Sequence, residues 1–471
     1  MWNISPFHPL SHVPGPKLAA ATYLPEFYHD VIKFGRYTHE IRKMHEIYGP
    51  MVRINPDEVH CSDFRFMNEI YAGGGRKRNK PLHQVSGSAS PQFIHTKTRS
   101  MEFSSFATAD HDLHRSRRAP VAKFFSKAQI AQLEPLVQRL AQQLCDKMLA
   151  QKGTGEPIDI SMAYSCYTAD AISDYCFGES LGYLDQESWE PNYLKSLISI
   201  LNTVHLFRYF PSLNRISTAS NKRGRPTIFA ELLNSTLPEQ EKTIPRLTGQ
   251  ASALMGGGTG TTSWALSVIT YYLLTQPKIL RKLTDELRGA VPDPQSLPPW
   301  TTLEKLPYLS AVIQEGLRLS YGVPERSARV AVGEDLVYHG EWKPEGSKTS
   351  VPLSYIVPRG YAMGMSAALI HHDEALFPDS YTFVPERWLV EDLERRRELE
   401  QHTLSFGRGS RMCLGMNLAL CELNLGLAAL ALRVFPHIRL YETTEEDIRY
   451  DYSIVISMPR ADSKGVRVII V

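Results

Sequence analysis

Cys413 stands in SFGRGSRMCLG, Ser405 to Gly415, framed by Gly409 and Gly415 and two residues after Arg411. Behind it MNLALCELNLGLAALALRVF carries apolar residues at helical spacing through Leu418, Leu425, Ala429 and Leu432, which predicts a helix with the cysteine at its N-terminal end. Free N–H groups, the positive end of the helix dipole and the Arg411 charge all favour an anion there, so the thiol pKa is expected to fall. A buried helix-cap cysteine is the plainer alternative on this stretch alone. Elsewhere, Glu315 and Arg318 lie at i,i+3 in AVIQEGLRL, and His114 and Arg118 lie four apart in DHDLHRSRRAPVAKFF, each pair on one helical face. An exposed pair of the first kind contributes only about 0.2–0.5 kcal/mol, and a basic run of the second kind is ordinarily a solvated face.

The elements that must position these residues are mostly helices. A pattern over 246–276 reads as one long helix, yet its middle is MGGGTGTT, with glycines at 256, 257, 258 and 260. Four interior glycines cost on the order of 4 kcal/mol against alanine. Close approach of a ligand and a tight helix crossing explain them equally well. Ser126 opens another helix, where Gln129 completes a capping box and Ile130, Leu133, Val137, Leu140, Leu144 and Met148 recur at steps of three and four. Further helices are expected near 161–178 and 191–209, followed by a polar loop, SLNRISTASNKRGRP. Short strand signals, ARVAV, DLVYHG, TSVPLSYIV and YAMGM, follow the Glu315 helix. Residues 1–22 are proline-rich and read as an extended lead-in. The fold class is therefore mainly α with a small β portion.

Composition bounds the function. A formal charge of +2 on 471 residues leaves no nucleic-acid footprint, despite the local runs at Arg76 and Arg115. Six cysteines without CxxC pairs signal neither a disulfide framework nor a zinc site, and Cys145 and Cys421 read as core. No stretch reaches the roughly 18 apolar residues of a membrane span, and no signal peptide is legible.

Four separated motifs agree in kind and order: Phe406-x-x-Gly409-x-x-x-Cys413-x-Gly415, Glu315-x-x-Arg318, the PERW of Pro385 to Trp388, and the Gly/Thr-rich long helix. Together they make the chain, from about Pro14 to Val471, resemble a cytochrome P450. YGPMVRINPDEVH, FGRGSRMCLG and HHDEALFP are similar to the microsomal enzymes of fungal secondary metabolism, including those that oxidise sesquiterpenes. The resemblance implies the P450 fold, with one haem-thiolate catalytic domain over 23–471. It implies haem b with Cys413 as the proximal iron ligand and Phe406 shielding the sulfur. Arg411, His114, Arg118 and Arg329 are implied contacts of the haem carboxylates, and Glu315, Arg318 and Arg387 an architectural buried triad. Thr261 matches the threonine that organises protons on the oxygen side, so it is the implied catalytic residue. Electrons are implied to come from NADPH through NADPH–cytochrome P450 reductase. The substrate is implied to be an apolar small molecule, and the location the cytosolic face of the endoplasmic reticulum. With no apolar N-terminal anchor in the sequence, the expectation is a soluble or peripherally membrane-bound chain.

Two departures from the family pattern stand out. Gly260 occupies the place of the acid that precedes the threonine, and a carboxylate put back there is expected to restore part of a proton relay. Phe207 and Met255 are also about two helices closer together than the resemblance leads one to expect. The first reading is a monooxygenase inserting one oxygen atom from O2. The alternative is a haem protein without effective monooxygenase activity, an isomerase, a dehydratase or a decayed paralogue.

Overall fold

The computed structural model describes residues 2–84, 103–202, 228–235, 237–344 and 346–471. Its principal helices are α1 Tyr37–Tyr48, α2 His111–Ala122, α3 Lys127–Leu149, α4 Ile160–Phe177, α5 Tyr193–Leu201, α6 Ile244–Thr275, α7 Pro277–Ala290, α8 Pro307–Ser320 and α9 Met416–Arg433. The strands are β1 Met51–Asn55, β2 Glu58–Cys61, β3 Arg78–Asn79, β4 Ile158–Asp159, β5 Arg329–Ala331, β6 Leu336–Trp342, β7 Val351–Val357, β8 Ala362–Gly364, β9 Ile438–Leu440, β10 Tyr452–Ser453, β11 Ser457–Met458 and β12 Arg467–Ile470. They form a five-stranded sheet in the order β1-β2-β8-β5-β3, a β4-β12-β9 sheet and the pairs β6-β7 and β10-β11.

Helices hold most of the core because their apolar faces meet one another. α6 runs against α4 and α9 against α3, and a large cluster that includes Ile172, Leu266, Ile269, Leu309, Ile313 and Leu425 fills the space between them. α9 is long and apolar enough to cross a membrane, but 78% of its apolar window is buried inside the protein, so it is a core helix.

Local differences from the sequence expectations have simple causes. The helix after Ser126 starts where expected, but no capping box forms: the Ser126 carbonyl accepts from the Ile130 amide at 3.0 Å, while its hydroxyl makes no cap bond. The lead-in is fastened down rather than free. Lys17–Ala21 is helical, the Arg53 amide donates to the Pro14 carbonyl at 2.7 Å, and Leu10 is fully buried in the sheet-side core. Of the helix expected over 191–209, the described part is α5; its remainder, Phe207 included, and the polar loop at 212–226 lie outside the described residues.

Candidate haem-thiolate site

The cysteine loop is shaped by its glycines. Gly407 and Gly409 have φ of 62° and 67°, and a Cβ on Gly409 would sit 2.2 Å from the Tyr71 carbonyl oxygen. That backbone is open only to glycine. The turn lets the Cys413 amide donate to the Phe406 carbonyl at 2.8 Å, and the Ser405 hydroxyl ties the loop to the Leu317 carbonyl of α8 at 2.8 Å.

Cys413 departs from the sequence expectation. Its thiol pKa is raised, because burial outweighs the Gly415 N–H and the Arg118 charge that favour the thiolate. Two details of position explain this. The helix begins only at Met416, and Arg411 points elsewhere, donating to the carbonyls of Thr108, Ala109 (2.7 Å) and Asp110 (3.2 Å). Among the six cysteines only Cys413 has exposed surface. A coordinated metal ion deprotonates such a thiol outright. Cys145 and Cys421 are buried, as expected of core residues.

The basic residues converge. His114 and Arg118 on α2, Arg329 on β5 and Arg411 act on one another electrostatically, directly or through Lys80, which the sequence reading missed. Burial and the neighbouring cations bring the His114 imidazole down to about 3 and Arg411 down to about 9. Burial, Arg329 and Arg411 hold the Lys80 amine well below the usual lysine range. None of these five side chains has an ion-pair partner among the described residues, and the buried Arg411 Nε has no hydrogen bond there. Lys80 Nζ donates to the Phe106 carbonyl at 2.6 Å and lies 3.8 Å from the Phe106 ring centroid. Guanidinium groups crowded in this way beside a cysteine loop, with His114 and Lys80 next to them, fit a ligand that brings carboxylates, and haem brings two. A Cβ on Gly257, Gly407 or Gly415 would meet nothing within 4 Å, so open space borders both α6 and the cysteine loop. The residues present fit haem.

Gly257 and Gly258 of α6 do different work. A Cβ on Gly258 would lie 2.8 Å from Ile172 Cγ1, so this glycine permits the crossing with α4, whereas Gly257 faces open space. Thr261 is half-buried, and its hydroxyl donates to the Gly257 carbonyl at 2.7 Å, a back-bond that bends helices. A Cβ on Gly260 would face Leu194, Ile456 and Leu197 at 3.4, 3.6 and 3.7 Å, so aliphatic side chains border the place where the relay carboxylate was expected. Sequence reading also missed Glu422 on α9. It is 1% exposed, both carboxylate oxygens lack a well-formed hydrogen bond, and burial raises its pKa far above the usual range against the pull of the Thr262 hydroxyl. The signal was there, an acid inside an otherwise apolar helical run.

Glu315, Arg318 and Arg387 meet. The Glu315 carboxylate accepts from Arg318 Nε and Nη2 at 2.9 and 2.8 Å, Arg387 Nε at 3.0 Å, Trp388 Nε1 at 2.9 Å and the Val384 amide at 2.9 Å. Arg318 also donates to the carbonyls of His371 and Ser380 at 2.7 and 2.6 Å, which fixes the segment leading to the cysteine loop. Phe406 packs partly buried against the helical core.

The cytochrome P450 family model matches residues 25–246 and 214–461. The chain belongs to the cytochrome P450 family. The two matched pieces overlap inside the stretch that reads as short, and relatives align over more positions than this P450 has residues: 496 for one from Penicillium rubens against 471. That relative, conidiogenone synthase PchP450, is 38% identical over 98% of this chain and 94% of its own length. Cytochrome P450 monooxygenase ppzE of Metarhizium majus is 41% identical over 87% of this chain and 92% of its own. N-acetyltryptophan 6-hydroxylase ivoC of Emericella nidulans is 35% identical over 97% and 92%. This P450 is a monooxygenase of the kind found in fungal secondary metabolism, and its cofactor is haem iron. The alternative without oxygen insertion gains no support.

Proposed function

We propose that this P450 inserts one oxygen atom into an apolar small molecule of secondary metabolism, a terpenoid or a compound of similar character, with electrons from NADPH delivered by NADPH–cytochrome P450 reductase. The observation that carries the reading is the cluster of basic side chains beside the Cys413 loop, without carboxylate partners among the described residues. Haem bound there supplies the redox and oxygen chemistry. Cys413 would hold the iron, with the Gly415 N–H and Arg118 favouring its thiolate form and Phe406 keeping water from it. His114, Arg118, Arg329, Arg411 and Lys80 would hold the carboxylates. Thr261 would orient water on the oxygen side, and Glu315, Arg318 and Arg387 keep the cysteine loop in register with α8. Leu194, Leu197, Ile454 and Ile456 give the cover beside α6 an apolar character that suits an apolar substrate.

The same reading seats the protein at the cytosolic face of the endoplasmic reticulum. Trp2, Ile4, Phe7, Leu18, Leu24 and Ile32 are all exposed within the first 32 residues, and Phe7 is 83% exposed. Such a concentration of apolar surface suits the membrane interface. The test is the absorption spectrum of the reduced protein under carbon monoxide, followed by turnover with NADPH, reductase and labelled O2. A thiolate-type Soret band with label in the product is the expected result. A haem-binding protein whose product carries no label from O2 would overturn the reading.

A further inference from the structure

A cavity of about 420 Å³ opens where α1, the end of α8 and the segments around His372 and Arg449 meet. Its lining includes Arg42, Arg449, His39, His372, Tyr321 and Tyr381, and it contains no acidic and no aliphatic side chain among the described residues. The walls are held in place. His372 Nε2 is 2.7 Å from the Tyr321 hydroxyl, its ring stacks on Tyr381 at 3.9 Å, and Arg42 donates to the Tyr381 hydroxyl at 2.6 Å and to the Ala368 carbonyl at 3.1 Å. His39 is fixed by the Asp451 carbonyl at 2.7 Å. Arg42 has no carboxylate partner among the described residues, whereas Arg449 shares its charge with Glu445 and Glu446 at 3.3 Å each. Arg42 therefore brings a positive charge that these residues leave uncompensated beside a concave, donor-rich wall.

We propose that this cavity binds a phosphate ester, with Arg42 and Arg449 holding the anion and the rings of Tyr381 and His39 bordering the organic group. Guanidinium forks match phosphate oxygens, and aromatic faces accept an adjoining organic group without needing a particular one. The ester can be a free metabolite or a lipid headgroup. The lipid source has a structural reason, since α1 follows directly on the segment that exposes Leu24 and Ile32. The proposal is independent of the oxygen chemistry.

The experiment uses the haem-loaded protein and its R42Q/R449Q variant, with R449Q alone as a milder change that leaves the Arg42 bonds to Tyr381 and Ala368 intact. Binding is measured to inorganic phosphate, to a soluble short-chain phosphatidate, and to vesicles of phosphatidylcholine with and without phosphatidate. The expected result is saturable binding of the short-chain phosphatidate, competed by inorganic phosphate, weakened at least about tenfold in the double variant and by a smaller factor in R449Q, with the haem spectrum unchanged. Loss of the phosphatidate-dependent part of vesicle binding in the variants assigns the site to lipid. Weakening confined to the soluble ligands assigns it to a free ester. Absence of saturable binding to any of these, or equal affinity in wild type and variants, overturns the proposal.

Discussion

Replacing Glu315 by glutamine tests the buried triad at its centre. The carboxylate accepts five hydrogen bonds, from Arg318 twice, Arg387, Trp388 and the Val384 amide, and neither Glu315 nor Arg318 has exposed surface. Glutamine keeps the shape and one carbonyl oxygen but removes the charge that offsets two guanidinium groups. Breaking a buried pair this way costs about 3–5 kcal/mol, or roughly two to nearly four orders of magnitude in the ratio of folded to unfolded chains. Because Arg318 also fixes the carbonyls of His371 and Ser380, the loss should reach the cysteine loop as well. The assay is denaturant unfolding of Glu315→Gln, with haem content per chain read from the spectrum of the purified protein. Arg387→Met, alone and combined, supplies a double-mutant cycle. A variant within about 1 kcal/mol of wild type that loads haem normally yet loses turnover would refute the architectural role and make Glu315 part of the chemistry.

Cys413→Ala is expected to leave a folded protein whose reduced carbon monoxide spectrum lacks the thiolate-type band; a normal band would remove Cys413 from the iron. Gly258→Ala and Gly260→Ala should diverge in thermal unfolding. The first destabilises because Ile172 Cγ1 lies 2.8 Å from the new Cβ, and the second stabilises by about 0.5–1 kcal/mol because its contacts, 3.4–3.7 Å, are ordinary. Gly260→Glu should lower haem-loaded yield without raising product formed per NADPH, and a clear gain would show that the side chain finds a polar route past Leu194 and Ile456. For pH dependence, burial pushes Glu58 up, but Arg326, His83 and Asn55 pull it down to about 2 from 4.5. Its contribution to stability is then complete above about pH 4.5 and is lost as pH falls toward 2, and Glu58→Gln should flatten that part of the stability profile.

What could be read from the sequence is what rests on short-range pattern or on several motifs at once. The glycine-framed cysteine, the Glu315–Arg318 spacing and the long glycine-bearing helix are local, and their joint order carried the family. Lys80 escaped because its role depends on Arg329 and Arg411, which lie far along the chain and meet it only in the fold. Glu422 escaped because an acid in a helix ordinarily faces water, and only packing against α6 shows that this one does not. The thiol shift was misjudged for a related reason. Dipole and charge can be guessed from neighbours in sequence, whereas the degree of burial and the direction of Arg411 cannot.

One turn of α6 places three neighbouring glycines under three separate constraints, with 257 facing open space, 258 pressed on Ile172 and 260 lying beneath Leu194, Leu197 and Ile456. These positions can therefore change independently. A larger residue at 260 could be matched by a smaller one at 194, 197 or 456, altering the cover without disturbing the crossing at 258 or the space before 257. That separation lets the cover diversify while the helix that carries Thr261 keeps its course.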